Sequence, residues 1–117
     1  FSAPCTVFEK TVGELMDDTS AWPVALGAMY EAYKIGIAKK VDFSFDDPVE
    51  YVSKFGENLR NARPSMFLDH LANKRSEIMF INGKVPSLGR EVGIPTPFNE
   101  TLTALVINKE KKFMDAT

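Results

Sequence analysis

The stretch "RSEIMFINGKVPSLGREVGIPTPFN", Arg75 to Asn99, holds the residues of this chain best suited to chemistry. It carries a carboxylate (Glu77), an amide (Asn82) and a proline (Pro86) inside what otherwise scans as an amphipathic helix. On a helix from Ser76 to Val92, turning ~100° per residue, Ile78, Ile81, Val85, Leu88 and Val92 fall within roughly one quarter of the circle. Glu77 and Asn82 border that stripe on opposite edges, above Lys84 and Gly89 respectively. A carboxylate at the rim of a buried face marks a candidate site. Pro86 cannot donate to the Asn82 carbonyl, so a kink there would leave an unpaired acceptor beside the amide. A second reading needs no site. Ser76 caps the helix, Glu77 complements its dipole, and Asn82 bonds to a neighbouring loop. Ser65, at the start of the preceding helix, is open to the same two readings, ligand contact or helix-end chemistry.

Other chemistries find no material. One histidine (His70) and one cysteine (Cys5) make no metal cluster, so no metal is expected. They also give no nucleophile–base set of any specificity. His70 reads as a surface or boundary residue and Cys5 as a small apolar filler. The seven glycines, at 13, 27, 36, 56, 83, 89 and 93, form neither a G-x-G-x-x-G nor a P-loop. This chain alone therefore supplies no phosphate cradle.

The elements that must position Glu77 and Asn82 are helical nearly throughout, and no stretch alternates as a strand would. Phe1 to Lys10 is least regular and reads as the tail of an earlier element. Thr11 to Asp17 predicts a short helix resting on Val12, Leu15 and Met16. A long helix follows, capped by Thr19 or Ser20, with Pro23 in its first turn and an end near Lys39 to Val41. Trp22, Leu26, Met29, Tyr33 and Ile37 form its expected buried stripe, and Gly27 and Gly36 point to another backbone packed close. Asp46 or Asp47 caps a helix from Pro48 to about Asn61, and Ser65 to about Ala72 makes a short one. Gly93, Ile94 and Pro95 stop the helix that bears Glu77. Thr96 then caps the last one, with Pro97 at its first position and Leu102, Leu105, Val106 and Phe113 on its apolar side. The short linker predicts that these two helices are antiparallel neighbours. Lysines 109, 111 and 112 read as a solvated turn at its negative end. The expected fold is all-α, a compact bundle of about five to six helices.

With 117 residues there is room for one domain, taken as 1–117, and 44% hydrophobic content can build its core. Sixteen acids against 14 bases disfavour a nucleic-acid partner. The longest apolar run, Ala21 to Tyr30, is too short to span a membrane. A single cysteine precludes an internal disulfide and gives no sign of secretion, so a cytoplasmic location is expected. Phe1 is no start methionine, and the chain reads as cut from something longer or processed.

The segment "PSMFLDHLANKRSEIMFINGKVPSLGREVGIPTPFNETL" resembles the C-terminal domain of the ketopantoate reductase (2-dehydropantoate 2-reductase) family. The matching positions are Ser65-Met66, Asp69, Ser76-Glu77-Ile78, Asn82-Gly83, Gly93 to Pro97, and Asn99. Upstream, Thr11, Gly13 and Leu15 are similar to the family's T-x-G-x-L. The resemblance implies an all-helical domain that follows an NADP-binding Rossmann domain, with the substrate between the two. It implies reduction of ketopantoate to pantoate by NADPH, on the route to coenzyme A, with a lysine as general acid. By this resemblance Glu77 is the active-site carboxylate, counted as catalytic and as cofactor-binding. Ser65 and Asn82 are substrate-binding, Ser65 at the carboxylate end.

Departures matter equally. The Rossmann segment is absent, and the family's lysine belongs roughly two helical turns before Phe1, so it is not Lys10. Ser2 stands where the family pattern often has Asn. The chain alone is expected to be inactive and to bind no NADPH. The alternative is a stand-alone helical interaction or dimerisation module, with the helix from Ala21 to Lys40 as its surface and a homodimer as its product.

Overall fold

The computed structural model describes residues 1–80 and 82–115. Within them the chain forms seven α-helices and one 3₁₀ turn, without a strand. These are α1 (Ser2–Phe8), α2 (Val12–Asp17), α3 (Trp22–Ala38), α4 (Pro48–Glu57), α5 (Ser65–Leu71), the 3₁₀ turn Ile78–Phe80, α6 (Lys84–Val92) and α7 (Pro97–Asp115). The all-α expectation holds. The helix count exceeds the expected five to six because the first ten residues make a helix of their own, while division of the Glu77 segment adds the 3₁₀ turn.

That division is the main correction. The helix expected from Ser76 to Val92 does not run through. A 3₁₀ turn covers Ile78–Phe80, and α6 begins only at Lys84. Pro86 therefore sits in the first turn of α6, where its missing N–H breaks no helical bond. No kink results, and the Asn82 carbonyl is not orphaned, since Val85 N–H donates to it at 3.2 Å. Ile81, a member of the expected stripe, lies outside the described residues. The stop was legible: Gly93 takes φ 71°, and Ile94 N–H donates to the Gly89 carbonyl at 2.9 Å.

Two apolar clusters make the core. One joins Ala3, Ala28, Met66, Ile78, Leu102 and Val106. The other joins Cys5, Val12, Leu15, Ala21, Ala25 and Phe67. Helices α1, α3 and α5 contribute to both, so they form the wall between them. In α3 the buried positions are Ala25, Ala28, Glu31 and Ile35, preceded by the buried Ala21, not the expected stripe of large residues. Trp22, Leu26, Met29 and Tyr33 are only half-buried, and Ile37 is 52% exposed. Small residues face inward because α6 and α7 come close to α3. The two glycines of α3 make room for aromatic rings rather than for backbone. A Cβ on Gly27 would meet the Phe98 ring at 2.8 Å, and one on Gly36 the Phe43 ring at 2.5 Å.

The caps also differ from expectation in part. At α2 the Thr11 hydroxyl accepts from Glu14 N–H while the Glu14 carboxylate accepts from Thr11 N–H, a reciprocal capping box. Before α3 it is Asp18, not Thr19 or Ser20, that gathers the free donors, accepting from the backbone N–H groups of Ser20 and Ala21 at 2.9 Å. Asp47 caps α4 as read from sequence, accepting from Val49 and Glu50 N–H. At α7 the expected cap Thr96 is replaced by a residue from α3. The Glu31 carboxylate accepts from Phe98 N–H at 2.8 Å and from Asn99 N–H at 2.9 Å.

Gly13 shows how closely the chain is packed. Its N–H donates to the Arg60 carbonyl at 2.8 Å, and Val12 N–H donates to the Ala62 carbonyl at 3.1 Å. A Cβ on Gly13 would lie 2.9 Å from that same Arg60 oxygen. The loop after α4 thus satisfies the first donors of α2, and only glycine admits it. Gly13→Ala should cost about 1–3 kcal/mol of stability, as overpacking against backbone does. Urea unfolding would measure this, and an unchanged midpoint would contradict the packing described.

Candidate functional site

One cleft lies between α1, α3, α4 and the start of α6, with a volume near 300 Å³. That is at the lower end of the range for small-molecule sites. Trp22, Leu26, Met29, Val52 and Val85 give it an apolar wall, and Ser2, Asn82 and Asn99 supply polar side chains. Three of the large residues that α3 leaves half-buried, Trp22, Leu26 and Met29, line this opening.

Asn82 stands at its floor in a chain of hydrogen bonds. Its Nδ2 donates to Asn99 Oδ1 at 2.8 Å. Asn99 Nδ2 donates in turn to the Ala28 carbonyl at 2.9 Å and to Glu31 Oε1 at 2.7 Å. Glu31 and Asn99 are 4% and 2% exposed, so the network is a buried one with every described partner in place. Sequence reading had Asn99 only as a motif position and missed Glu31. The available signal was a carboxylate on the inner face of α3, three residues after Ala28 and four before Ile35.

Glu77 lies elsewhere. It is exposed, just before the 3₁₀ turn, and lines a separate depression of about 410 Å³ with Arg75, Met79, Ile107 and Lys111. Ser65 is exposed at the first position of α5. The structure thus places Asn82 in the cleft beside α3 and brings neither Glu77 nor Ser65 into that cleft's lining.

A second polar cluster was not foreseen. Glu110 Oε1 accepts from Ser76 N–H and Ser76 Oγ, both at 2.7 Å, and lies 3.3 Å from His70 Nε2. Ser76 is therefore tied to α7 and is not the cap of a helix bearing Glu77. Of the two readings for His70, surface or boundary, the structure supports the boundary one. The His70 side chain is 7% exposed and meets the Phe113 ring edge-on at 5.2 Å. Its Nε2 faces the carboxylate, and its buried Nδ1 has no hydrogen-bond partner among the described residues. Sequence offered one hint, Glu110 four residues beyond Val106 on the buried face of α7. Cys5 behaves as expected. It is fully buried, and burial raises its thiol to about 11, so it carries no thiolate for chemistry.

The comparisons with known proteins fit this geometry. The family profile "Ketopantoate reductase PanE/ApbA C terminal" matches residues 1–110. The chain belongs to this family. A ketopantoate reductase relative, the 2-dehydropantoate 2-reductase of Streptococcus pyogenes serotype M3, is 31% identical over 110 residues, which is 93% of this chain and 36% of that protein. The chain thus spans about a third of the length of the curated relatives it matches. Among solved structures, the PanE/ApbA family ketopantoate reductase from Ralstonia eutropha JMP134 superposes with TM-score 0.87 at 28% identity, over 97% of this chain and 38% of that one. A D-mandelate dehydrogenase solved with NADH and anilino(oxo)acetate superposes with TM-score 0.83 at 25% identity, over 97% and 48%. Among the described residues no helix is long and apolar enough to cross a membrane, and no group of His, Cys, Asp and Glu could hold a metal ion.

The Glu110 cluster makes a pH prediction. Burial works to raise the Glu110 pKa, but the two Ser76 donors and His70 outweigh it and hold the carboxyl below the ordinary value of 4.5. A depressed folded pKa adds stability above the unfolded value and loses it as pH falls through the folded one. The native chain should therefore lose more stability between pH 7 and about pH 3 than Glu110→Gln does. Urea unfolding at both pH values checks this, and parallel losses would contradict it.

Proposed function

We propose that this chain, residues 1–117 as a single domain, is the substrate-binding part of an oxidoreductase that reduces ketopantoate, or a related 2-keto acid, to its 2-hydroxy acid. The observation that carries the reading is the family match over residues 1–110. The apolar cleft with Asn82 at its floor supports it.

The proposed cofactor of the parent enzyme is NADPH, which when bound supplies the hydride. The residues described here do not fit a dinucleotide by themselves. They are helical apart from loops and turns, and none of their glycines forms a phosphate-binding strand–turn–helix. Cofactor binding is assigned to a Rossmann domain outside this chain, together with the general-acid lysine of the upstream helix.

What this chain's own side chains would do follows from their chemistry. The Trp22, Leu26 and Met29 wall keeps water from the bound acid and strengthens each polar contact within the cleft. Asn82 hydrogen-bonds the substrate from the cleft floor. Ser65 is assigned to the carboxylate end and Glu77 to the side facing the nucleotide, by family analogy. Because the three line no common cleft, the substrate site is completed by the second domain.

The surface of α3 and α4 favours a second role alongside the first, pairing with another copy of the chain. Tyr30 and Tyr51 are 43% and 48% exposed. Tyr33, Phe43, Phe45 and Tyr51 form a run of rings whose successive centroids lie 4.2–5.3 Å apart. Such a patch on water fits a partner surface.

Two outcomes are expected. With ketopantoate and NADPH, this chain alone should oxidise no cofactor above a blank, whereas Glu77→Ala in the full-length parent should lower kcat at least about a hundredfold with its circular dichroism unchanged. Unchanged kinetics would return Glu77 to a purely structural part. In sedimentation, the chain should show a concentration-dependent dimer that Tyr51→Lys disperses. A monomer at every concentration would remove the second role.

A further inference from the structure

We infer that Glu31 and Asn99 are positioning residues that lock the Asn82 carboxamide with its carbonyl oxygen free in the cleft, so that the site selects a ligand donating a hydrogen bond there, a hydroxyl rather than a carboxylate. The inference rests on the reading that this cleft receives the substrate, and it adds the polarity of one contact.

The buried end of the network sets its direction. A backbone carbonyl can only accept, and so can an ionised carboxylate. Asn99 has both before it, the Ala28 carbonyl at 2.9 Å and Glu31 Oε1 at 2.7 Å. Its amide nitrogen must face them, and the Ala28 carbonyl alone would require this. Asn99 Oδ1 is thereby turned toward Asn82, 2.8 Å from its side chain. Two carbonyl oxygens cannot share that distance, so Asn82 has to present its nitrogen. Its own Oδ1 then remains, and it accepts from none of the described residues. Glu31 is itself held by the N–H groups of Phe98 and Asn99 at 2.8 and 2.9 Å, so the relay cannot turn over without opening the start of α7.

An acceptor on the floor of an apolar cleft discriminates by omission. A ligand bearing a hydroxyl satisfies it. A ligand without one displaces water and leaves the oxygen unpaired, which is the costlier error. A carboxylate brings a second set of lone pairs to the same point.

The test has two readouts. In this chain, hydrogen exchange followed by NMR should find one slow and one fast proton on Asn82 Nδ2. Two fast protons would mean that Asn82 accepts from Asn99, and the inference would fall. In the full-length parent with NADPH, kcat/KM is compared for ketopantoate and for the otherwise identical 2-keto acid whose hydroxymethyl is a methyl. The native enzyme should favour the hydroxylated acid by about tenfold, the worth of one net hydrogen bond. Asn82→Ala should reduce that preference to about twofold or less. Glu31→Gln, which puts a donor where the network needs an acceptor, should do the same while still reducing the acid that lacks the hydroxyl. Should Glu31→Gln fail to fold, Asn82→Ala decides alone, because Asn82 is only half-buried. Equal kcat/KM for the two acids in the native enzyme would overturn the inference and leave the reductase reading standing. Turnover of neither acid would overturn both.

Discussion

A single buried carboxylate sets the geometry of this molecule. Glu31 sits mid-way along α3, where a hydrophobic residue would pack well, and instead takes three hydrogen bonds from the start of α7. A helix N-terminus carries free N–H groups and partial positive charge, and a carboxylate answers both. Here the carboxylate comes from another helix, so the cap is also a tertiary link. It fixes where α7 begins relative to α3, and through Asn99 it fixes the side chain at the floor of the cleft. Breaking one partner of such a network leaves a buried charge or buried donors without compensation, which is why its parts stand or fall together.

Much of the fold was legible from local chemistry. Pro48 and Pro97 mark helix starts, Asp47 caps α4, and Gly93 ends α6 with the left-handed turn that its type allows. The family pattern at Thr11, Gly13 and Leu15 now has a physical content. Thr11 closes the capping box, Gly13 admits the Arg60 carbonyl, and Leu15 fills one core cluster. What periodicity misjudged was which face of α3 is inside. Large apolar residues recur every three or four positions on one side, and alanines on another. Helical spacing identifies stripes but not their destinations, and the alanine stripe wins burial because close helix approach rewards small side chains.

The segment from Ser76 to Gly83 misled for a related reason. Ile78, Val85, Leu88 and Val92 do share a helical phase, yet the backbone between them is not one helix. Ser76 is drawn to Glu110, thirty-four residues later, and Asn82 to Asn99, seventeen later. Long-range polar partners of this kind leave no trace in a window of neighbouring residues. Asn82 as a site candidate was readable from its amide and its motif. The relay that gives it direction was not, since its members come from three separated parts of the chain.

That separation bears on how the protein is made. Ala3 of α1 and Val106 of α7 belong to one core cluster, and Glu31 finds its donors only at residues 98 and 99. Contacts between such distant points form late, because a long loop must close before they are rewarded. During synthesis α3 therefore waits with a charged side chain on its inner face and no partner for it. The cleft gains its floor only after the last helix has emerged, so a nascent chain lacking α7 would expose both the carboxylate and the alanine face it interrupts.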